Sequence, residues 1–193
     1  MAVLTDTLNH LTTNVLAAAA EYQAAEDALS RAHGAGTWDE EATTAKRKAA
    51  ELAVAIDGLS DRASLEGIGT IDGIRAAVSA LCVWPGSTSV RQEAFERVHG
   101  VANAYKHSKL NKPTHVINSF QDVLAVGLGY GLDGYGVGKY DGVEVLVRDK
   151  GGTSWKFLGD APVVVSAWFR FLAQSGAALP NDPYHVCGLQ VHP

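Results

Sequence analysis

Residues 98–110, Val-His-Gly-Val-Ala-Asn-Ala-Tyr-Lys-His-Ser-Lys-Leu, carry the side chains best suited to chemistry: His99, Asn103, Lys106 and His107. His99 and Asn103 stand one helical turn apart, as do Asn103 and Lys106 or His107, so their side chains can meet. An imidazole beside an amide can be oriented as a general base, and an ammonium next to it can neutralise a developing anion. On a helical wheel zeroed on Val98, Lys106, His99 and Asn103 fall at about 80°, 100° and 140°, with His107 at about 180°. Ala94, Phe95, Val98, Val101, Ala102 and Tyr105 lie within about 60° of zero on the same wheel. The polar set therefore borders a buried stripe, where a group is both held and reachable. The segment has no nucleophile and no second carboxylate, so it favours ligand or partner binding over catalysis and leaves any catalytic residue unassigned.

A metal centre does not follow from the histidines. His99 and His107 sit two turns apart, about 12 Å along the axis, too far to share one ion. The His-Glu-x-x-His spacing is absent, and His115 and Asp122 complete no ligand set. Cys82 and Cys187 fit no metal spacing and read as two thiols in a reducing cytoplasm. The sequence implies neither a metal nor a cofactor.

A second stretch could contact ligands. Residues 127–142 hold seven glycines in sixteen positions, with Tyr130, Tyr135 and Tyr140 at intervals of five. Such tyrosines can stack on bases, sugars or a partner's side chains, and glycine lets backbone amides approach an anion. No phosphate-binding loop motif accompanies them. The alternative is a long hairpin connection whose tyrosines pack over the helices. Closure of this loop over the 98–110 stripe would make one site of both motifs.

Several elements must position these groups. Leu4, Leu8, Leu11, Val15, Ala18, Tyr22, Ala25 and Leu29 alternate spacings of four and three, which predicts a long amphipathic helix. Gly34 and Gly36 end it, and Thr37 with Glu40 predicts a capping box for the next. That helix repeats the stripe at Trp38, Ala42, Ala45, Ala49, Leu52, Ile56 and Leu59, so the two form an antiparallel hairpin. Thr70 caps a third helix ended by Pro85; Ser89 with Gln92 caps the fourth, which carries the 98–110 motif. The period then changes to two. Strands are expected over 114–120, 122–128, 142–149 and 153–158, the last pair joined by Lys150-Gly151-Gly152. Asp160 caps a final helix, 163–175, apolar nearly all round. The expectation is one α+β domain, an antiparallel bundle of four to five helices with a small antiparallel β-sheet before the last: a helical part over 1–110, a β insertion over 111–160, a last bundle helix over 161–176 and a tail over 177–193.

Composition bounds the partners. A net charge of −5 disfavours broad nucleic-acid binding, while Lys106, Lys109 and Lys112 leave room for a small anion or a nucleotide. The opening residues show no signal peptide, and the run 163–173 is interrupted by Ser166 and Arg170 and too short to span a bilayer.

The segments Val101-Ala-Asn-Ala-Tyr-Lys-His107, Gly129-Tyr-Gly and Gly134-Tyr-Gly-Val-Gly138, in this order of elements, resemble a bacterial family to which no activity is assigned. The helical part is distantly similar to HEPN-type bundles, many of them ribonucleases or nucleotide-associated modules. That resemblance implies an Arg followed by a His after four to six residues. Here the residue that follows Arg97 after five intervening residues is Asn103, not His, and seven residues intervene between Arg91 and His99. The reading is a non-enzymatic binding module, with a homodimer through the hairpin. The alternatives are a HEPN-like enzyme acting on RNA or a nucleotide, with His99 or His107 as base, and a structural subunit of an assembly.

Overall fold

The computed structural model describes residues 4–84, 87–107, 109–110, 115–127 and 143–193. It is an α+β fold of helices with a three-stranded antiparallel sheet and a two-stranded hairpin. The first helix, α1 (Thr5–His10), continues through a π-helical turn, Leu11–Val15, into α2 (Leu16–Ala35). Thr7, Leu11, Val15 and Ala19 are all buried at a spacing of four. On an ordinary α-helix each such step drifts by about 40°. The wider turn absorbs that drift and keeps the stripe facing the core.

The hairpin with α3 (Asp39–Leu65) forms as expected, but through different chemistry. Gly36 adopts φ 83°, its N–H bonds to His33 O at 3.0 Å, and the Thr37 N–H reaches Ala32 O at 3.3 Å. This is a Schellman closure, which only glycine enters without strain. Thr37 is consumed in closing α2, so Trp38 becomes the N-cap of α3 and the Thr37–Glu40 box does not form. The predicted stripe of α3 is buried at Ala45, Ala49, Leu52, Ile56 and Leu59. A second face is buried too, at Ala50, Ala53, Asp57 and Ser60. That face receives α5 (Ala94–Lys106), which packs extensively on α3.

Thr70 caps α4 (Ile71–Ala80), its hydroxyl accepting the Gly73 N–H. The Ser89–Gln92 box is absent. Val83 and Val90 pair as a β-bridge, and the chain enters α5 through Glu93 at φ 56°. This entry turns Arg91 inward. The strand expected over 114–120 is not formed in its described part, 115–120. Asp122 instead accepts the N–H groups of Asn118 and Ser119, capping a 3-10 turn at Phe120–Asp122. Ile117 lies against Gly100, where a Cβ would come within 3.1 Å of its Cγ1.

The sheet runs β1 (Val123–Gly127), β2 (Val143–Arg148), β3 (Ser154–Lys156), all antiparallel. β2 is central and buried at every residue but Arg148, so Glu144 and Leu146 are covered as well as the valines. It packs on α2 and α6, and covering both faces replaces the expected alternation. α6 (Phe157–Gln174) begins six residues earlier than expected. The returning strand is correspondingly short, and Phe157 leaves it to pack edge-on against Tyr22 at 5.3 Å. Asp160 is therefore not the cap but lies in the first turn, fully buried. The tail also departs from expectation: Tyr184–Val186 and Leu189–Val191 form a hairpin, β4–β5, around Cys187 and Gly188 at φ 50° and 80°. Positive φ at both central residues gives the turn whose twist suits a two-residue hairpin. Among the described residues no helix is long and apolar enough to cross a membrane.

Candidate functional site

Three helices converge on one carboxylate. Asp57, in the C-terminal half of α3 and 5% exposed, accepts a hydrogen bond from His99 Nδ1 at 2.6 Å and one from Arg75 Nη2 of α4 at 3.0 Å, both on Oδ1. Its Oδ2 accepts from Lys106 Nζ at 3.0 Å. Burial alone would raise the Asp57 carboxyl. The hydrogen bonds and charges of His99 and Lys106 outweigh it and hold the group at about 2. Asp57 is thus an anion at neutral pH and can only accept, which fixes the proton of a neutral His99 on Nδ1 and the lone pair on Nε2.

The imidazole is held from within its own helix. Phe95, one turn earlier, stacks at 6.3 Å with planes 11° apart. Asn103, one turn later, places Nδ2 2.9 Å from Nε2 and 3.4 Å from Nδ1. An amide along the in-plane lone pair of Nε2 would lie far from Nδ1, across the ring. Two similar distances put the amide over the ring face instead. The in-plane direction of Nε2 is therefore not taken by Asn103. His115 approaches from the 115–122 loop, with ring centroids 6.0 Å apart.

Of the expected residues, the structure brings His99, Asn103 and Lys106 together and leaves His107 out. His107 ends α5 in extended conformation, is exposed, and uses its backbone N–H on Asn103 O at 2.9 Å. Tyr130, Tyr135 and Tyr140, and the expected closure of their loop over the stripe, lie outside the described residues. Tyr105, placed by the wheel on the buried stripe, is 45% exposed beside Phe120. Asp122 serves its own turn, and among the described residues no three His, Cys, Asp or Glu side chains gather to hold a metal ion.

Asp57 and Arg75 escaped the sequence reading. A signal was present: Lys46, Ala50, Ala53, Asp57 and Ser60 repeat the spacings four, three, four, three along α3. An aspartate within such a stripe of small residues marks a buried carboxylate that needs a partner.

A second centre lies nearby in the sequence but is sealed. Asp160 accepts Arg97 in a fork, Nε to Oδ2 at 2.7 Å and Nη2 to Oδ1 at 2.8 Å, and Arg91 Nε to Oδ1 at 2.5 Å. Trp155 lies 4.1 Å from the Arg97 guanidinium carbon, and Trp84 lies 4.8 Å from that of Arg91. All three ionised groups are buried.

No family model matches the chain, and neither a curated protein nor a solved structure matches it significantly. The site must be read from its own geometry.

Proposed function

We propose that the protein is a binding module for a small anionic ligand, taken at the junction of α3, α4 and α5. The observation that supports this most is how Arg75 and Lys106 meet Asp57. Each spends one hydrogen bond on the carboxylate, Arg75 through Nη2 alone with its side chain still 24% exposed. A guanidinium engaged through one of five donors, beside a half-exposed ammonium, retains donors for phosphate or carboxylate oxygens. Two cations, Arg75 and Lys106, face one anion, so the junction carries surplus positive charge on a chain of net charge −5.

A ribonuclease of the HEPN type has less support. The arginine that such a pattern would use, Arg97, is fully buried and committed to Asp160. His107, the other candidate base, has no carboxylate behind it among the described residues. A reducing cytoplasm accords with the unpaired Cys82 and Cys187 thiols, both pushed by burial up to about 12. A homodimer would cover Leu65 and Ile71, exposed at the end of the hairpin and the start of α4.

The test is a titration with inorganic phosphate, following backbone amide shifts. Shifts centred on α5 and Arg75, weakened at least ~10-fold by Lys106→Met or Arg75→Met, would support the reading. Phosphate shifts that are absent from α5, or indifferent to both substitutions, would sink it.

A further inference from the structure

We propose that His99 Nε2 is a general base, and that the anion held beside it is a phosphodiester undergoing attack by water. The proposal rests on the anion-binding reading above and adds a reaction to it. Four observations carry it.

The first is the pairing of Asp57 with Nδ1 at 2.6 Å, which orients the imidazole and stabilises the cation formed when Nε2 takes a proton. The second is rigidity. Phe95 and Asn103, one turn to either side, hold the ring so that its Nε2 edge keeps one direction. The third is access. The side chain is 20% exposed, and Asn103 covers the ring face rather than the in-plane lone pair. The fourth is charge. Arg75 and Lys106 set two cations against the one carboxylate of Asp57, a surplus suited to the oxygens of a phosphoryl group.

The step balances without a further reagent. Water loses a proton to Nε2 as its oxygen bonds to phosphorus. The bond from phosphorus to the leaving oxygen then breaks, and that oxygen takes a proton from solvent. The products are a phosphate monoester and an alcohol. Lys106 and Arg75 stabilise the phosphoryl oxygens. Asp57 does not touch substrate; it is a positioning residue. Among the described residues, the charged and titratable groups facing His99 are Asp57 from α3, with Arg75 of α4 bonded to it, Lys106 from α5 and His115 from the loop.

The experiment uses the full chain with bis(4-nitrophenyl) phosphate, reading nitrophenolate release, and dimethyl phosphate as a non-reacting probe of binding. Wild type should release nitrophenolate, with a rate that falls on acidification as Nε2 takes up a proton. His99→Gln should lower kcat by on the order of 10²-fold or more while binding dimethyl phosphate normally. Asp57→Asn should shift the pH profile as well as the rate, which a purely structural role would not do. If His99→Gln fails to melt cooperatively, carbethoxylation of wild type decides. Peptide mapping should show His99 modified in step with loss of rate, and dimethyl phosphate should protect it. Binding of dimethyl phosphate without nitrophenolate release above buffer would overturn the base and leave the anion site standing. So would an unchanged rate in folded His99→Gln, or a rate that survives His99 modification. Failure of dimethyl phosphate to bind while inorganic phosphate still shifts α5 would overturn the diester and leave the anion site standing; failure of both probes would bring down both readings.

Discussion

Asp57 and Asp160 are both buried aspartates facing two cations contributed by other segments, and they are built for opposite ends. Asp160 is met by a planar fork from Arg97 plus Arg91, with Trp84 and Trp155 against the guanidinium groups and no exposed member. Asp57 is met by three single bonds from Arg75, His99 and Lys106, whose side chains are 24%, 20% and 40% exposed. A fork fixes the angle between elements, and here it seals in the one donor it does not use, Arg97 Nη1. Splayed single bonds leave donors over and open an edge to solvent. Asp160 therefore sets the junction of α5, α6 and β3, while Asp57 offers a place for a ligand. The position of Asp160 in the first turn of α6 adds to this, since the helix N-terminus favours negative charge there.

The largest effect expected of this contrast comes from removing the sealed carboxylate. Asp160→Asn leaves Arg91 and Arg97 buried without their anion, and breaking such a pair typically costs about 3–5 kcal/mol. Urea unfolding of Asp160→Asn should show a loss of that size, or no folded state at all. A loss below ~1 kcal/mol would show that the sealed centre is not what fixes α6.

Removing the open carboxylate should cost less and should be visible in acid. The folded Asp57 carboxyl stands at about 2, against an ordinary value of 3.8. Its stabilising contribution is therefore present above pH ~4 and is lost as pH falls towards 2, because the unfolded chain binds the proton first. The shift corresponds to about 2 kcal/mol. Wild type should lose roughly this much between pH 6 and pH 2 from Asp57 alone. Asp57→Asn should start lower at pH 6 and show a correspondingly flatter acid limb in urea midpoints taken across that range. Parallel acid limbs for the two proteins would mean that Asp57 is not held ionised by His99 and Lys106.

The same contrast explains what the sequence could and could not disclose. The α2–α3 hairpin was legible because its stripes repeat over many turns, and apolar burial follows such a period directly. His99, Asn103 and Lys106 were legible as a group because one helix spaces them. Asp57 and Arg75 reach the same site from helices 42 and 24 positions upstream of His99, and only packing brings them there. Asp160 was misread as a cap because aspartate before an apolar run is a common helix start. The helix in fact began earlier, and the carboxylate was needed by two arginines on another element. The expected strand at 114–120 failed for a local reason: Asp122 captured the N–H groups of Asn118 and Ser119 that a ladder would have used. The closing hairpin at 184–191 was missed because its strands are three residues each, too short for a period to show.

The smallest expected stability effect sharpens the distinction most. Lys106 is 40% exposed, and its bond to Asp57 is one of three on that carboxylate. Exposed ion pairs are worth about 0–1 kcal/mol, and solvent screening puts Lys106 within that range. Lys106→Met should therefore move the urea midpoint little at pH 6, since His99 and Arg75 still satisfy Asp57. Phosphate affinity should fall at least ~10-fold in the same variant, equivalent to about 1.4 kcal/mol. No residue of the Asp160 centre can separate the two readouts in this way, because each is needed for the fold before any ligand is offered. A Lys106→Met protein that lost stability and affinity by equal amounts would place Asp57 in the same class as Asp160, a strut between helices rather than a site.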